Sequence, residues 1–233
     1  MAADTVVAGV DTAVAAVAGR VALVAGATGL VGRAVLADLL ADKSYSAVHC
    51  VGRRALPLQH PKLIHHTVDF KAAAPFAALP HVDDVFIALG TTIKVAGSQA
   101  AFKAIDFEAI VAVAQAGRAQ GATKLGVVSA MGADPKSAIF YNRVKGEMEQ
   151  ALRGMGFKTL VIARPSMLAG DRGALKQPDR LGERIGLMAM QWLKPIIPNN
   201  YRSIDAGDVA KALINAVKSG TPGVQVLLSG EMQ

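Results

Sequence analysis

Short apolar runs alternate with longer stretches of helical periodicity along most of the chain. The apolar runs are five or six residues long and rich in Val, Ile and Leu, which is typical of buried parallel strands. The predicted strands are residues 21–25, 47–51, 63–68, 84–89, 124–128, 159–163 and 224–228, and the predicted helices are 30–41, 98–120, 139–155 and 206–219. This alternation predicts an α/β fold with a doubly wound, Rossmann-like parallel sheet of about seven strands.

Length and composition predict one domain. The 233 residues suffice for one large buried sheet and are too few for two ordinary domains. We interpret residues 1–20 as an N-terminal extension and residues 21–233 as the domain, with a substrate cover at about 166–205.

Charge and cysteine usage narrow the function classes. The net charge of +7 comes from scattered basic residues, which favours an anionic small ligand over nucleic acid. The single cysteine excludes an internal disulfide framework, and no metal site is predicted because the histidines lack Cys or carboxylate partners at ligand spacing. The apolar stretch 6–19 is too short to span a membrane, and no basic residue precedes it as in a secretory signal. These features predict a cytoplasmic protein with a small-molecule substrate, either a monomer or a homodimer.

A glycine-rich turn joins the first predicted strand to the first predicted helix. Its glycines permit a sharp turn, close approach of the backbone to a pyrophosphate, and tight packing of helix on strand. The phosphates would bind at the helix N-terminus, where N–H groups are unpaired. The turn therefore predicts dinucleotide binding, with contacts from Gly26, Thr28, Gly29, Leu30, Val31 and Gly32.

The ends of the next strands add further candidate cofactor contacts. Arg53 and Arg54 follow the second strand, where an NAD-binding protein normally has an acidic residue for the ribose hydroxyl. Because guanidinium groups bind a 2′-phosphate bidentately, NADP(H) is predicted in preference to NAD(H). The third strand is followed by Asp69 and Phe70, and the fourth by a turn whose cofactor contacts are predicted at Leu89, Gly90 and Thr91.

Three residues near the fifth strand form a predicted catalytic site. Ser129 follows this strand, and Tyr141 and Lys145 are spaced to share one face of the next helix. Tyr141 would donate a proton to a carbonyl oxygen as hydride arrives. Lys145 would favour the phenolate and hold the nicotinamide ribose, while Ser129 would bind the substrate oxygen. Tyr141 and Lys145 are therefore both catalytic and cofactor-binding candidates.

With these motifs the chain resembles the short-chain dehydrogenase/reductase superfamily over residues 20–233. Segments 88–92, 141–147 and 163–166 resemble an atypical NAD(P)-binding branch that includes the Tat-interacting protein oxidoreductase. The resemblance implies that an Arg-Arg pair binds NADPH, that Pro165, Ser166 and Leu168 lie near the nicotinamide, and that Arg180 reaches a cofactor phosphate. Many relatives also use an Asn in a proton relay, but this chain has Ile105-Asp106-Phe107 there, so the full relay is not predicted.

The sequence thus predicts an NADPH-dependent oxidoreductase that reduces a carbonyl or related group. One alternative is an NADP(H)-sensing regulator or assembly protein with little turnover, since some members of the branch are associated with protein partners. Another is a nucleotide-sugar epimerase with the same three residues and NAD. The absence of an acidic residue after the second strand argues against the epimerase.

Overall fold

A parallel sheet of seven strands forms the centre of the molecule. The computed structural model describes residues 19–70, 72, 76, 79–169, 200 and 202–233. The strands are β1 (Arg20–Ala25), β2 (Tyr45–Gly52), β3 (Leu63–Thr67), β4 (Asp84–Ile87), β5 (Lys124–Val128), β6 (Thr159–Arg164) and β9 (Gly223–Leu228), with a separate parallel pair, β7 (Leu168–Ala169) and β8 (Ile204–Asp205). The order β3-β2-β1-β4-β5-β6-β9 confirms the predicted fold class.

Helices cover both faces of this sheet. They are α1 (Leu30–Ala41), α2 (Ile93–Ala96), α3 (Gln99–Lys103), α4 (Ile110–Ala119), α5 (Phe140–Arg153) and α6 (Ala206–Ser219). Alternate residues of β1 point to opposite faces, so Val24 packs in the cluster of α1 and α6, and Leu23 packs in the cluster of α4 and α5. In the described part of the chain, no helix has the length and apolar character needed to cross a membrane.

The predicted helix 98–120 differs from a regular helix. It consists of α3, a π-helical turn (Ala104–Ala109) and α4. Phe102, Asp106 and Ile110 follow one another at intervals of four residues on the buried side. The π-helical turn therefore carries an acidic residue into the protein interior, and such turns are frequent at functional sites.

One cluster of polar side chains closes the edge of the sheet where the strands begin. Arg20, Tyr45 and Asp84 are the first residues of the neighbouring strands β1, β2 and β4. Arg20 Nε and Tyr45 Oη each donate to Asp84 Oδ2 over 2.7 Å, and a second Arg20 nitrogen pairs with Asp84 Oδ1. Burial and the charge of Asp84 raise the pKa of the Tyr45 phenol far above its ordinary value. We call these three residues the amino-edge cluster; Arg20 is thus part of the sheet, one residue before the predicted start of β1.

Candidate active site

The glycine turn lies at the opposite edge of the sheet, where the strands end. Gly26 has φ +91°, and a Cβ there would lie 2.4 Å from the carbonyl group of Ala88. A Cβ on Gly32 would lie 2.0 Å from the Gly26 oxygen, so neither position accepts a side chain. Gly29 caps α1 without a side-chain hydrogen bond, and Thr28 beside it is exposed. Leu30 and the buried Val31 form the first turn of α1, whose N–H groups suit a pyrophosphate.

Arg53 and Arg54 directly follow β2, the neighbour of β1 in the sheet. Both side chains are exposed, and within the described residues neither guanidinium has an ion-pair partner. Their position beside the glycine turn suits a phosphate on the adenosine side of a dinucleotide.

The residues after β3 lie further along the same edge. Asp69 is exposed, and its backbone oxygen accepts from Ala72 N over 3.0 Å. Phe70 packs edge-to-face on Phe76, with ring centroids 6.0 Å apart. The structure thus places both residues at the predicted edge of the sheet.

Beyond the glycine turn, α5 supplies a tyrosine and a lysine, and the π-helical turn supplies an acidic residue that pairs with the lysine. The Lys145 Nζ atom lies 2.7 Å from Asp106 Oδ1, with the side chains only 4% and 1% exposed. A Cβ on Gly90 would lie 3.5 Å from Asp106 Oδ1, so this loop approaches the ion pair closely. Leu89 precedes it in the chain. Burial raises the pKa of Asp106, against the opposing effect of the Lys145 ammonium.

Tyr141 lies one helical turn before Lys145 on α5. Its ring packs at 5.4 Å from the Phe102 ring, and its hydroxyl makes no hydrogen bond to any residue that the structure describes. Tyr141, Lys145 and Asp106 are called the carboxyl-edge cluster below. A phenol that no described residue binds, one helical turn from a buried cation, is available to exchange a proton with a ligand.

Ser129 differs from its predicted role as a donor to the substrate oxygen. Its hydroxyl is buried and donates to Glu149 Oε1 over 2.6 Å. Glu149 also accepts from Arg164, over 2.9 Å from Nε and 2.6 Å from Nη2. Because the Ser129 proton is already bound by a carboxylate, this hydrogen bond ties β5 to α5 instead of pointing to a substrate.

The residues predicted near the nicotinamide come after β6. Pro165 is buried, and its oxygen accepts from Met131 N, which joins the loops after β5 and β6. Ser166 accepts a hydrogen bond from Ser229 Oγ, and its own hydroxyl donates to the Arg202 backbone oxygen. Leu168 begins β7. Arg180 and most of the predicted cover at 166–205 lie outside the described residues.

Two functional candidates were missed by the sequence reasoning, namely Asp106 as the partner of Lys145 and Glu149 as the partner of Ser129. Each acidic residue occupies a buried position of its helix, although acidic residues normally line the solvent face. A carboxylate within an apolar stripe was therefore the available signal.

Comparisons with known proteins agree with this site. A family model described as NAD(P)H-binding matches residues 26–219. The chain belongs to this NAD(P)H-binding family. The chain is 29% identical over 204 residues to "Protein HTATIP2" of Rattus norvegicus, covering 86% of this chain and 82% of that one. It is 32% identical over 199 residues to "Protein fmp52, mitochondrial" of Aspergillus niger, covering 80% and 82%. The family match confirms the NAD(P)-binding part of the resemblance.

Some similarities cover less of the relative. The Emericella nidulans "Protein fmp52, mitochondrial" is 35% identical over 149 residues, which are 61% of this chain and 64% of that protein. The chain therefore spans less than two thirds of that relative. Among solved structures, a short-chain dehydrogenase family protein from Francisella tularensis aligns over 92% of this chain and 99% of that one, with 16% identity and a TM-score of 0.66. Such low identity shows the fold alone.

The predicted cytoplasmic location is wrong. The relatives from Emericella nidulans, Candida albicans, Coccidioides immitis and Aspergillus niger are all named as mitochondrial proteins. The prediction depended on cysteine usage and on the charge of the first residues. A lone cysteine excludes a disulfide framework but does not distinguish one reducing compartment from another.

Proposed function

We propose that this protein is an NADPH-dependent oxidoreductase that reduces a carbonyl or related group of a small molecule. The observation that carries this proposal is the carboxyl-edge cluster: a tyrosine whose hydroxyl no described residue binds, one helical turn before a buried lysine that is paired with a carboxylate. The cluster shares its sheet edge with the glycine turn of an NAD(P)H-binding fold.

The residues of the chain supply the proton side of this reaction. Bound NADPH supplies the hydride. Tyr141 donates its phenolic proton to the substrate oxygen, since no described protein group accepts that proton. Lys145 carries a positive charge in a poorly hydrated place, where it stabilises negative charge that develops on the phenol oxygen.

Arg53 and Arg54 support NADPH as the preferred cofactor. Both are exposed after β2, directly beside the strand that leads into the glycine turn. Two guanidinium groups match a doubly charged phosphate better than an uncharged ribose hydroxyl.

A second candidate function is an NADP(H)-binding regulator or assembly protein with little turnover. The observation that favours it is the Ser129 hydroxyl, which donates to Glu149 and not into the crevice. On this alternative the cofactor would bind normally, while the proton donor set for a substrate would be incomplete.

NADPH binding and turnover measured together distinguish the two candidates. NADPH oxidation is followed against a panel of aldehydes, ketones and quinones, beside a fluorescence titration of NADPH binding. The oxidoreductase predicts turnover of at least one compound and its loss in Tyr141→Phe with NADPH binding retained. Lys103→Gln, which alters a half-exposed lysine paired with Glu147, is the control and should match the wild type. Tight NADPH binding without any turnover would favour the regulator.

A further inference from the structure

Asp106 is a buried acidic residue without a role in the reaction described above. It lies in the π-helical turn between α3 and α4, in a row with the apolar Phe102 and Ile110. Its side chain is 1% exposed. A carboxylate is expensive to bury, so its presence in an apolar stripe needs a physical reason.

The two oxygens of Asp106 contact two different parts of the candidate site. Oδ1 forms the ion pair with Lys145 Nζ on α5, at 2.7 Å. Oδ2 accepts from the backbone N–H of Thr91 over 2.9 Å, in the loop after β4. One carboxylate therefore joins the loop predicted to contact the cofactor to the lysine predicted to assist the proton donor.

Stability alone does not account for this arrangement. A buried ion pair is commonly replaced by apolar residues of similar volume without loss of stability, or with a gain. Burial raises the pKa of Asp106, which means that the folded protein disfavours its charged form. By contrast, an uncharged residue at this place would avoid that cost.

Among the described residues, Lys145 is the charged group that forms an ion pair with Asp106. The other charged side chains of the elements packed here are Lys103 on α3, Glu108 in the π-helical turn, Arg118 on α4, and Arg143, Glu147, Glu149 and Arg153 on α5. Arg118 is exposed, Arg143 donates to the backbone oxygens of Ser137 and Ala138, and Glu149 pairs with Arg153 and Arg164. Lys103 and Glu147 pair with each other over 3.2 Å with both side chains a third or more exposed, and Glu108 is exposed. The polar groups in contact with the carboxylate are therefore the Lys145 ammonium and the Thr91 N–H.

We propose that Asp106 is a positioning residue that, as a carboxylate, holds the Lys145 ammonium against the Thr91 loop and releases this lysine when it takes up a proton. This inference rests on the proposed function only in its effect on turnover. The lysine and the loop can be examined without any substrate.

The test separates the charge of Asp106 from its hydrogen bond to Thr91. Asp106→Asn keeps an oxygen that can accept from Thr91 N–H but loses the charge, and Asp106→Leu loses both. Glu147→Gln is the matched control, since it removes an acidic residue that pairs with a lysine on the outside of the same helix. Three quantities are measured: carbamylation of Lys145 by cyanate in the free protein, NADPH binding by fluorescence, and kcat as a function of pH.

In the free protein we expect cyanate to modify Lys145 about tenfold faster in Asp106→Asn than in the wild type, because the amine is no longer held in its ion pair and can reach the reagent. NADPH binding should change less than about threefold in Asp106→Asn and weaken about tenfold in Asp106→Leu, which also loses the Thr91 hydrogen bond. In the wild type and Glu147→Gln, kcat should fall at low pH as Asp106 is protonated. This fall, the acid limb of the pH profile, should be missing in Asp106→Asn.

Equal labelling of Lys145 in Asp106→Asn and Glu147→Gln would overturn the proposal, as would an unchanged acid limb. If a single variant fails to fold, the double variant Asp106→Leu with Lys145→Met removes both charges of the pair. NADPH binding to this double variant still tests the role of the Thr91 hydrogen bond. Faster labelling in a protein that turns over no substrate would leave the positioning role intact and contradict only the oxidoreductase.

Discussion

The two edges of the sheet contain the same three kinds of side chain in opposite states. At the amino edge, Tyr45 and Arg20 both direct their polar atoms to Asp84, and the cluster is closed. At the carboxyl edge, Asp106 holds Lys145, but the Tyr141 hydroxyl has no partner among the described residues. A phenol, a cation and a carboxylate therefore stabilise the fold where they satisfy one another, and are available for chemistry where one of them is left free.

The largest expected effect is on turnover at the carboxyl edge. Lys145→Met should lower kcat by about 10²- to 10³-fold, because the charge that stabilises the phenol oxygen is lost. The variant should also lose about 3–5 kcal/mol in the free energy of unfolding, because the buried Asp106 is left without its cation. Steady-state kinetics and urea unfolding check the two parts. A folded variant with normal kcat would remove Lys145 from the reaction.

The same substitution at the amino edge should affect stability alone. Arg20→Met leaves the fully buried Asp84 without its cation, which should cost about 3–5 kcal/mol in the free energy of unfolding. The folded protein should keep its kcat, because Arg20 lies at the far end of the strands. Loss of kcat without loss of stability would show that the two edges are not separate in function.

A smaller effect is expected on the choice of cofactor. Replacing Arg53 and Arg54 together by Ala should weaken NADPH binding about 10- to 100-fold, since charged hydrogen bonds to a phosphate are lost. NADH binding should stay within about threefold. Arg118→Ala, an exposed arginine at the end of α4, is the control. Equal losses for NADPH and NADH in fluorescence titrations would contradict the assigned preference.

Ser129 tests whether a residue at the carboxyl edge can be purely structural. Ser129→Ala removes a buried hydrogen bond to Glu149 and should cost about 1–3 kcal/mol in unfolding, with kcat reduced less than about tenfold. Ser46→Ala, whose exposed hydroxyl bonds to the Gly19 backbone, should change both little. If turnover instead fell by about two orders of magnitude at unchanged stability, Ser129 would have a direct role in the reaction.

The smallest expected effect is on the pH dependence of stability, through a histidine pair that lies away from both clusters. His49 Nδ1 and His66 Nε2 lie 2.9 Å apart, and burial is the main cause that lowers the pKa of each. The two neutral histidines stabilise the fold fully above their unfolded pKa of about 6.5. This stabilisation is lost as the pH falls through their lower pKa values in the folded protein. Between about pH 7 and pH 5, the melting temperature should fall less in His66→Gln than in the wild type. His81→Gln, at an exposed site, should follow the wild type.

Much of the fold was readable because buried parallel strands are continuous apolar runs. The bounds of β5, α1 and α6 match their predictions. The site was less readable for two reasons. The π-helical turn has no residue signature, so Asp106 was not expected to face Lys145. The direction of a hydroxyl depends on partners distant in sequence, so the Ser129 bond to Glu149, twenty residues later, was not predicted.

The two tyrosines give the most direct test of the contrast between the edges. Tyr141→Phe and Tyr45→Phe are compared in kcat and in the free energy of unfolding. We expect Tyr141→Phe to lose about 10²- to 10⁴-fold in kcat with unchanged stability. Tyr45→Phe should retain kcat and lose about 1–3 kcal/mol, because Asp84 loses a buried hydrogen bond. A Tyr141→Phe variant with wild-type kcat would contradict the account.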